Sequence, residues 1–347
     1  MKKFFYGAAL GLAANLAAAQ TVTVFGVADA AIVNERGGVA GSVTKLTGGA
    51  ASGSRLGVRG SEDLGDGLKA LFVLEMGLAL DTGASTQGGV LFGRQALVGL
   101  QHDAGTVTIG RQYAPLFLAL SSIDPFQAFS TAANASNLMS LAGIRMTNSV
   151  KISAPAGGAF SGEAAYALGE VAGNSDAGRQ IGANGAYTSG PFSVKLGYAS
   201  VNNIPAPAAA ISNGKTVLVG ATYDFGIAKV GAAYAKNRGT VNINNTINPN
   251  VHADSRDVLL GVSVPLGLSA LRASYIDKQD KAGTRRDARQ WGVGYFYSLS
   301  KRTDTYLAYA RIRNTAAAGS VGFYTVGNAT EVGSGNRALN LGLRHTF

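Results

Sequence analysis

At 347 residues, with a formal charge of +10 and no cysteine, the chain excludes a disulfide scaffold and takes its rigidity from elsewhere. Hydrophobic residues make up 46% and alternate regularly, which argues against disorder despite 48 glycines. The basic residues are scattered singly through strand-like segments, which excludes the clustered runs that grip nucleic acid.

Residues 1–19 read as a secretory signal peptide. Lys2 and Lys3 precede an apolar stretch from Phe4 to about Leu16, and Ala17-Ala18-Ala19 offers a cleavage site before Gln20. The folded chain is then 20–347, exported from the cytoplasm. Beyond residue 19 no apolar run approaches the roughly 18 residues that a spanning helix needs. Even the greasiest stretch, 68–80, is broken by Lys69 and Glu75.

The first strand is expected over 21–33, followed by a Gly/Ser/Thr-rich loop over 34–53. A second strand runs over 54–62 and reaches the turn Asp63-Leu-Gly-Asp-Gly67. The third puts Leu68, Ala70, Phe72, Leu74, Met76 and Leu78 on one face, since neighbouring strand residues point opposite ways. Thirteen more strand-like segments follow, near 91–102, 106–113, 144–154, 160–171, 180–189, 192–201, 215–224, 228–236, 256–265, 269–278, 288–298, 302–312 and 337–347. Phe192, Val194, Leu196 and Tyr198 alternate with Ser193, Lys195 and Gly197; Trp291, Val293, Tyr295 and Tyr297 do likewise with Gly292, Gly294 and Phe296. Short Gly, Pro or Asp turns alternate with long polar loops along the whole series.

That sorting of connections, with strands of about 9–11 residues, predicts an all-β fold: a 16-stranded antiparallel transmembrane β-barrel. Closure satisfies every backbone donor and acceptor in lipid. Lys69, Glu75, Lys195, Arg272 and Arg344 lie on the face opposite the apolar one, which suits a watery lumen and not a sandwich core.

The third long loop, 114–143, is too long for a casual connection and apolar for an exposed one: Pro115-Leu-Phe-Leu-Ala-Leu120, Pro125-Phe126 and Phe129. It is expected to fold into the lumen. Asp124 is the only acid between Asp103 and Glu163. Arg55, Arg59, Arg94, Arg111 and Arg145 surround the loop in sequence, with Lys151 after it. Arginines stay charged at any relevant pH, so Arg55, Arg94 and Arg145, with Arg111 and Arg59 beside them and Asp124 as the facing acid, are expected to build a constriction that favours anions. The three histidines, His102, His252 and His345, stand apart from one another, and no metal-ligand spacing emerges. No catalytic residue, cofactor or metal is expected. The last strand carries Leu339, Leu341, Leu343, His345 and Phe347 on one face and ends on the aromatic.

Several motifs carry a resemblance. They are Val24-Phe-Gly-Val-Ala-Asp29, the run Ser54-Arg-Leu-Gly-Val-Arg-Gly-Ser-Glu-Asp-Leu-Gly-Asp-Gly-Leu-Lys-Ala70, and Phe92-Gly-Arg-Gln-Ala-Leu-Val-Gly-Leu100. Ile109-Gly-Arg-Gln112, Tyr297-Ser-Leu-Ser-Lys-Arg-Thr303 and Gly342-Leu-Arg-His-Thr-Phe347 complete the set. The chain resembles the general trimeric porins of Gram-negative outer membranes, most closely the β-proteobacterial branch. The resemblance implies a 16-stranded barrel in outer-membrane lipid, a homotrimer, and passive diffusion of small hydrophilic solutes. It implies a third loop inside the lumen and wall arginines at Arg55, Arg94 and Arg145, with Phe347 as a signal to the barrel-assembly machinery. Members often carry several acids in the third loop, whereas this chain keeps only Asp124-Pro-Phe126, which strengthens the anion-preferring reading. Three other readings compete: a substrate-specific anion porin, an outer-membrane barrel enzyme, and an adhesive role for the surface loops.

Overall fold

The computed structural model describes residues 21–39, 41–139, 142–155, 157–202, 213–239, 254–282, 286–315, 324–328, 330–331 and 333–347. The expected signal peptide lies outside them. Seventeen strand segments follow in order: β1 (Thr21–Gly38), β2 (Gly41–Gly48), β3 (Arg55–Gly65), β4 (Leu68–Gly77), β5 (Gln95–His102), β6 (Gly105–Tyr113), β7 (Arg145–Ser153), β8 (Phe160–Ala167) and β9 (Gln180–Ser189). The series continues with β10 (Phe192–Asn202), β11 (Asn213–Asp224), β12 (Lys229–Arg238), β13 (Ser255–Leu266), β14 (Ser269–Asp280), β15 (Asp287–Ser298), β16 (Thr303–Thr315) and β17 (Arg337–Thr346). An α-helix, α1 (Pro115–Ser121), and a short 3-10 turn (Ala135–Asn137) lie between β6 and β7.

From β3 to β17 each strand pairs antiparallel with the next, and β17 returns to pair with β1. β1 pairs with β2 along its second half and with β3 along its first. β2 and β3 therefore share one position in the wall, and the seventeen segments close a barrel of sixteen staves. The sheet closes on itself from stave to stave, which is the condition for strands in lipid.

The stretch 34–53 is not the plain loop expected from composition. β1 continues to Gly38, and 41–48 returns beside it as β2. Gly37 (φ 82°) and Gly41 (φ 91°) adopt the left-handed backbone that closes this hairpin. The strand escapes notice because its outward face holds a single large apolar side chain, Leu46, opposite Ile32.

The alternation is inside-out relative to a water-soluble protein. On β10, Leu196 is 55% exposed while Gly197 and Ala199 are buried; on β15, Trp291, Val293 and Tyr295 are exposed while Gln290 and Phe296 are buried. Val24, Val98, Val219, Leu260 and Leu341 continue the outward apolar band. Apolar surface on this scale is stable only against lipid or another apolar surface. Near the short turns, Phe160 and Tyr187 (ring centroids 4.9 Å apart) and Tyr223 and Phe225 (4.5 Å) form an aromatic girdle of the kind that sits at headgroup level. Among the described residues no helix is long and apolar enough to cross a membrane.

Phe347 seals the seam. Its carbonyl accepts from the Gly26 N–H at 3.0 Å, and its own N–H donates to the Gly26 carbonyl at 3.1 Å. The ring lies over Gly26, where any Cβ would collide with it.

Candidate functional site

The segment after β6 lies against the buried face of the wall. Ala114 caps α1 and Pro115 starts it, a position where the missing N–H costs nothing. Leu116, Phe117, Ala119 and Leu120 are all buried, so the helix is covered on more than one side. Asn184 on β9 donates to the Pro115 carbonyl at 2.8 Å. Leu116 packs over Gly197 on β10, Ile123 over Gly220 and Gly231, Pro125 over Gly261 and Ala133 over Gly292. A Cβ on Gly197 would stand 2.8 Å from the Leu116 Cδ1, so glycine on the inner face is what lets the segment approach. Gln290 on β15 donates to the carbonyls of Ala133 (3.0 Å) and Asn134 (2.9 Å) and accepts from Asn137 at 2.8 Å. The Ala132 N–H donates to Asn340 on β17 at 2.8 Å, and the Thr131 N–H to the Ala50 carbonyl at 2.6 Å. The segment thus follows the inner wall from β9 round to β17, across from β3 to β7.

Two further pieces narrow the same space. Residues 49–54, between β2 and β3, leave the sheet and are held by Asp29. The Asp29 carboxylate accepts from the N–H groups of Ala51 (3.3 Å) and Ser52 (3.1 Å) and from the Tyr306 hydroxyl (2.7 Å). Residues 324–328 also fold in. Asn314 brackets Tyr324 by accepting from its N–H at 2.9 Å and donating to its carbonyl at 3.0 Å. Tyr324, Val326 and Asn328 are buried.

Between the third-loop segment and the β3–β7 wall lies a cavity of about 150 Å³. Arg55, Arg94, Arg145, Tyr113, Phe117 and Phe129 line it, together with Ser52, Ser121, Gln127 and Ser130. The acid that meets these arginines is Glu75 on β4. The Glu75 carboxylate accepts from Arg94 Nε at 2.7 Å and Gln95 at 2.6 Å, and Arg55 Nε is 3.4 Å away. The Tyr113 hydroxyl accepts from Arg94 at 2.7 Å, and the Arg145 guanidinium lies 4.9 Å over the Tyr113 ring. Two guanidiniums therefore share one carboxylate, and the third, Arg145, stands against Tyr113.

The other arginines expected here do not reach the cavity. Arg111 donates to the Gly93 carbonyl at 2.7 Å and opposes Ala96 in the ladder. Arg59 stands over the Phe25 ring at 5.1 Å, closer to the short turns. Asp124 is buried and turned into its own loop, where its carboxylate accepts from the N–H groups of Phe126 (3.1 Å), Ala128 (2.9 Å) and Ala135 (2.9 Å). Burial pushes this carboxyl up to about 6, with the three N–H groups pulling the other way. Asp124 organises the loop and leaves Glu75 as the acid beside the arginines. Asp124→Ala strands three buried donors, each costing about 1–3 kcal/mol. Single-channel conductance then rises and becomes noisier, and unchanged traces would refute that role.

The remaining charges of the inner face lie along the lumen. Lys69 opposes Gln101 near the short turns, and Lys195 opposes Gly220. Arg272 donates to the Pro125 carbonyl at 3.2 Å and lies 4.3 Å from the Phe296 ring centroid. Arg344 binds Asp304 at 2.7 Å. Tyr113 and Asp29 were not singled out in advance. An aromatic at a strand end and an acid in a small-residue strand carry no local signal.

The barrel has counterparts among known proteins. The Gram-negative porin family description matches residues 7–317. The chain is 32% identical to outer membrane porin protein 32 of Delftia acidovorans, over the whole of both chains. It is 30% identical to an outer membrane porin protein of Bordetella pertussis, again over the whole of both. The solved anion-selective porin from Comamonas acidovorans is 31% identical and superposes with a TM-score of 0.77, over 95% of this chain and 100% of its own. OmpT of Vibrio cholerae, at 16–18% identity, shares the fold. On sequence and fold together, the chain belongs to the Gram-negative porin family.

Proposed function

We propose that the protein is an outer-membrane channel through which small hydrophilic solutes and ions diffuse passively, with anions preferred. One observation carries the preference: Arg55, Arg94 and Arg145 line a single cavity inside a closed barrel, and the Glu75 carboxylate meets the first two of them. Fixed guanidiniums in a narrow, partly desolvated passage favour anions and repel cations. The description of the Comamonas acidovorans porin as anion-selective agrees with this. Removal of residues 1–19 on export, assembly as a homotrimer and recognition of Phe347 by the barrel-assembly machinery complete the reading. It calls for no catalysis, cofactor or metal.

The test is the zero-current potential of the purified protein in a planar bilayer under a potassium chloride gradient. Stepwise conductance with an anion-side potential is expected. A cation-side potential would discard the arginine account, and no conductance from folded protein would discard the channel. Deleting Phe347 is expected to lower the yield of folded trimer in the outer membrane. A normal yield would contradict its role in assembly.

A further inference from the structure

Arg145 differs from its two neighbours. Arg55 and Arg94 share the Glu75 carboxylate, whereas no carboxylate among the described residues lies within 4.0 Å of Arg145. Its Nε is buried with no hydrogen-bond partner, and its one side-chain hydrogen bond among the described residues is a long one, 3.5 Å, to the Tyr113 hydroxyl. A desolvated guanidinium without a counter-charge is costly unless an anion completes it.

The surface next to it is aromatic. Tyr113 and Phe117 stack with ring centroids 5.4 Å apart, and Phe129 meets Phe117 edge-on at 6.4 Å. All three line the cavity. A passage for hydrated chloride has no use for a ring-lined wall beside the one uncompensated guanidinium of its three. Its volume of about 150 Å³ is of the size that holds a benzene ring.

Building on the anion-channel reading, we propose that this cavity binds small aromatic carboxylates, with Arg145 as the carboxylate anchor and Phe117 and Phe129 as the wall for the ring. A guanidinium meets a carboxylate through two parallel N–H bonds, which chloride cannot exploit. A ring on Phe117 and Phe129 gains stacking and edge contacts that an alkyl acid lacks. The solute is held briefly on its way through, so its passage saturates at concentrations where chloride current does not.

The experiment measures block of chloride current in planar bilayers by sodium benzoate, cyclohexanecarboxylate or acetate at constant ionic strength. Benzoate is expected to half-block at a concentration about fivefold below that of acetate. Cyclohexanecarboxylate should fall nearer acetate. Phe129→Leu, which keeps an apolar side chain of similar bulk, should bring the benzoate-to-acetate ratio towards one. Arg145→Gln should raise the half-blocking concentration of both acids. Equal block by benzoate and acetate, equal block by benzoate and cyclohexanecarboxylate, or a ratio untouched by Phe129→Leu would each overturn the proposal. All three leave the zero-current potential in chloride alone unaffected, so a failure here is distinct from a failure of the anion-channel reading.

Discussion

Lys278→Met lowers the unfolding free energy of the barrel by about 3–5 kcal/mol, the cost of leaving a buried charge without its partner. Lys278 on β14 and Asp257 on β13 are both almost fully buried on the inner face. The ammonium sits 2.9 and 3.1 Å from the two carboxylate oxygens and 2.9 Å from the Ser255 hydroxyl. Asn237 on β12 donates to Asp257 and to Ser255, each at 2.8 Å, and Thr216 on β11 donates to Asn237 at 2.8 Å. Four successive strands are thus pinned by one network, and the Tyr324 ring covers the ammonium at 5.9 Å. Removing the lysine leaves Asp257 with Asn237 as its remaining side-chain donor. Removing both charges, as in Lys278→Met with Asp257→Leu, restores most of the loss, because the cost lies in the orphaned charge and not in the absent attraction. The readout is the midpoint of denaturant unfolding in detergent micelles. Arg289→Gln is the contrast. Its ion pair with Asp277 spans 2.8 Å, yet the guanidinium is 69% exposed, so the midpoint should hardly move. Equal effects from the buried and the exposed pair would overturn the account.

The staves were legible because lipid outside and water inside write opposite demands onto alternate residues. β10 and β15 show this most clearly. Their boundaries, Phe192–Asn202 and Asp287–Ser298, fall within a residue of those read from alternation alone. β2 was not legible, since Gly41–Gly48 is glycine- and threonine-rich and its hairpin depends on two left-handed glycines. At the site, Arg55, Arg94 and Arg145 stood out as charges near a long apolar loop, and they do meet in one cavity. The acid facing them was misjudged. Asp124 lies in the right loop, but three backbone N–H groups claim it, whereas Glu75, in the wall, holds Arg94 and Arg55. Competition from backbone donors cannot be read from a residue's type. The Lys278–Asp257 pair was hidden for a related reason: its partners lie 21 residues apart and meet only through the register of β13 with β14.

Neutralising Arg55, Arg94 and Arg145 together shifts the zero-current potential in a potassium chloride gradient from the anion side towards, and past, zero. The cavity then retains Glu75 without its counter-charges, so the local balance changes from two excess positive charges to one negative. At about 5 Å a single charge is worth about 0.8 kcal/mol to a monovalent ion in bulk water and about 3 kcal/mol at an effective dielectric near 20. Removing three such charges is expected to change the anion-to-cation permeability ratio by more than tenfold. The composite is safest with Glu75→Gln added. Glu75 is 2% exposed, and orphaning it risks the fold as well as the field. That fourfold variant is expected near zero potential, between the wild type and the triple variant. Arg145→Gln alone is the cleanest single step, because it removes a charge that no carboxylate balances within 4.0 Å among the described residues. Its effect should shrink at high salt, where the Debye length falls to about 3 Å at 1 M. An unchanged potential in all of these variants would move selectivity to the wider ring of inner charges, Lys69, Lys195, Arg272 and Arg344. Of these, Arg344 is already neutralised by Asp304 at 2.7 Å. That alternative predicts a weaker preference, spread along the lumen, that no single substitution abolishes.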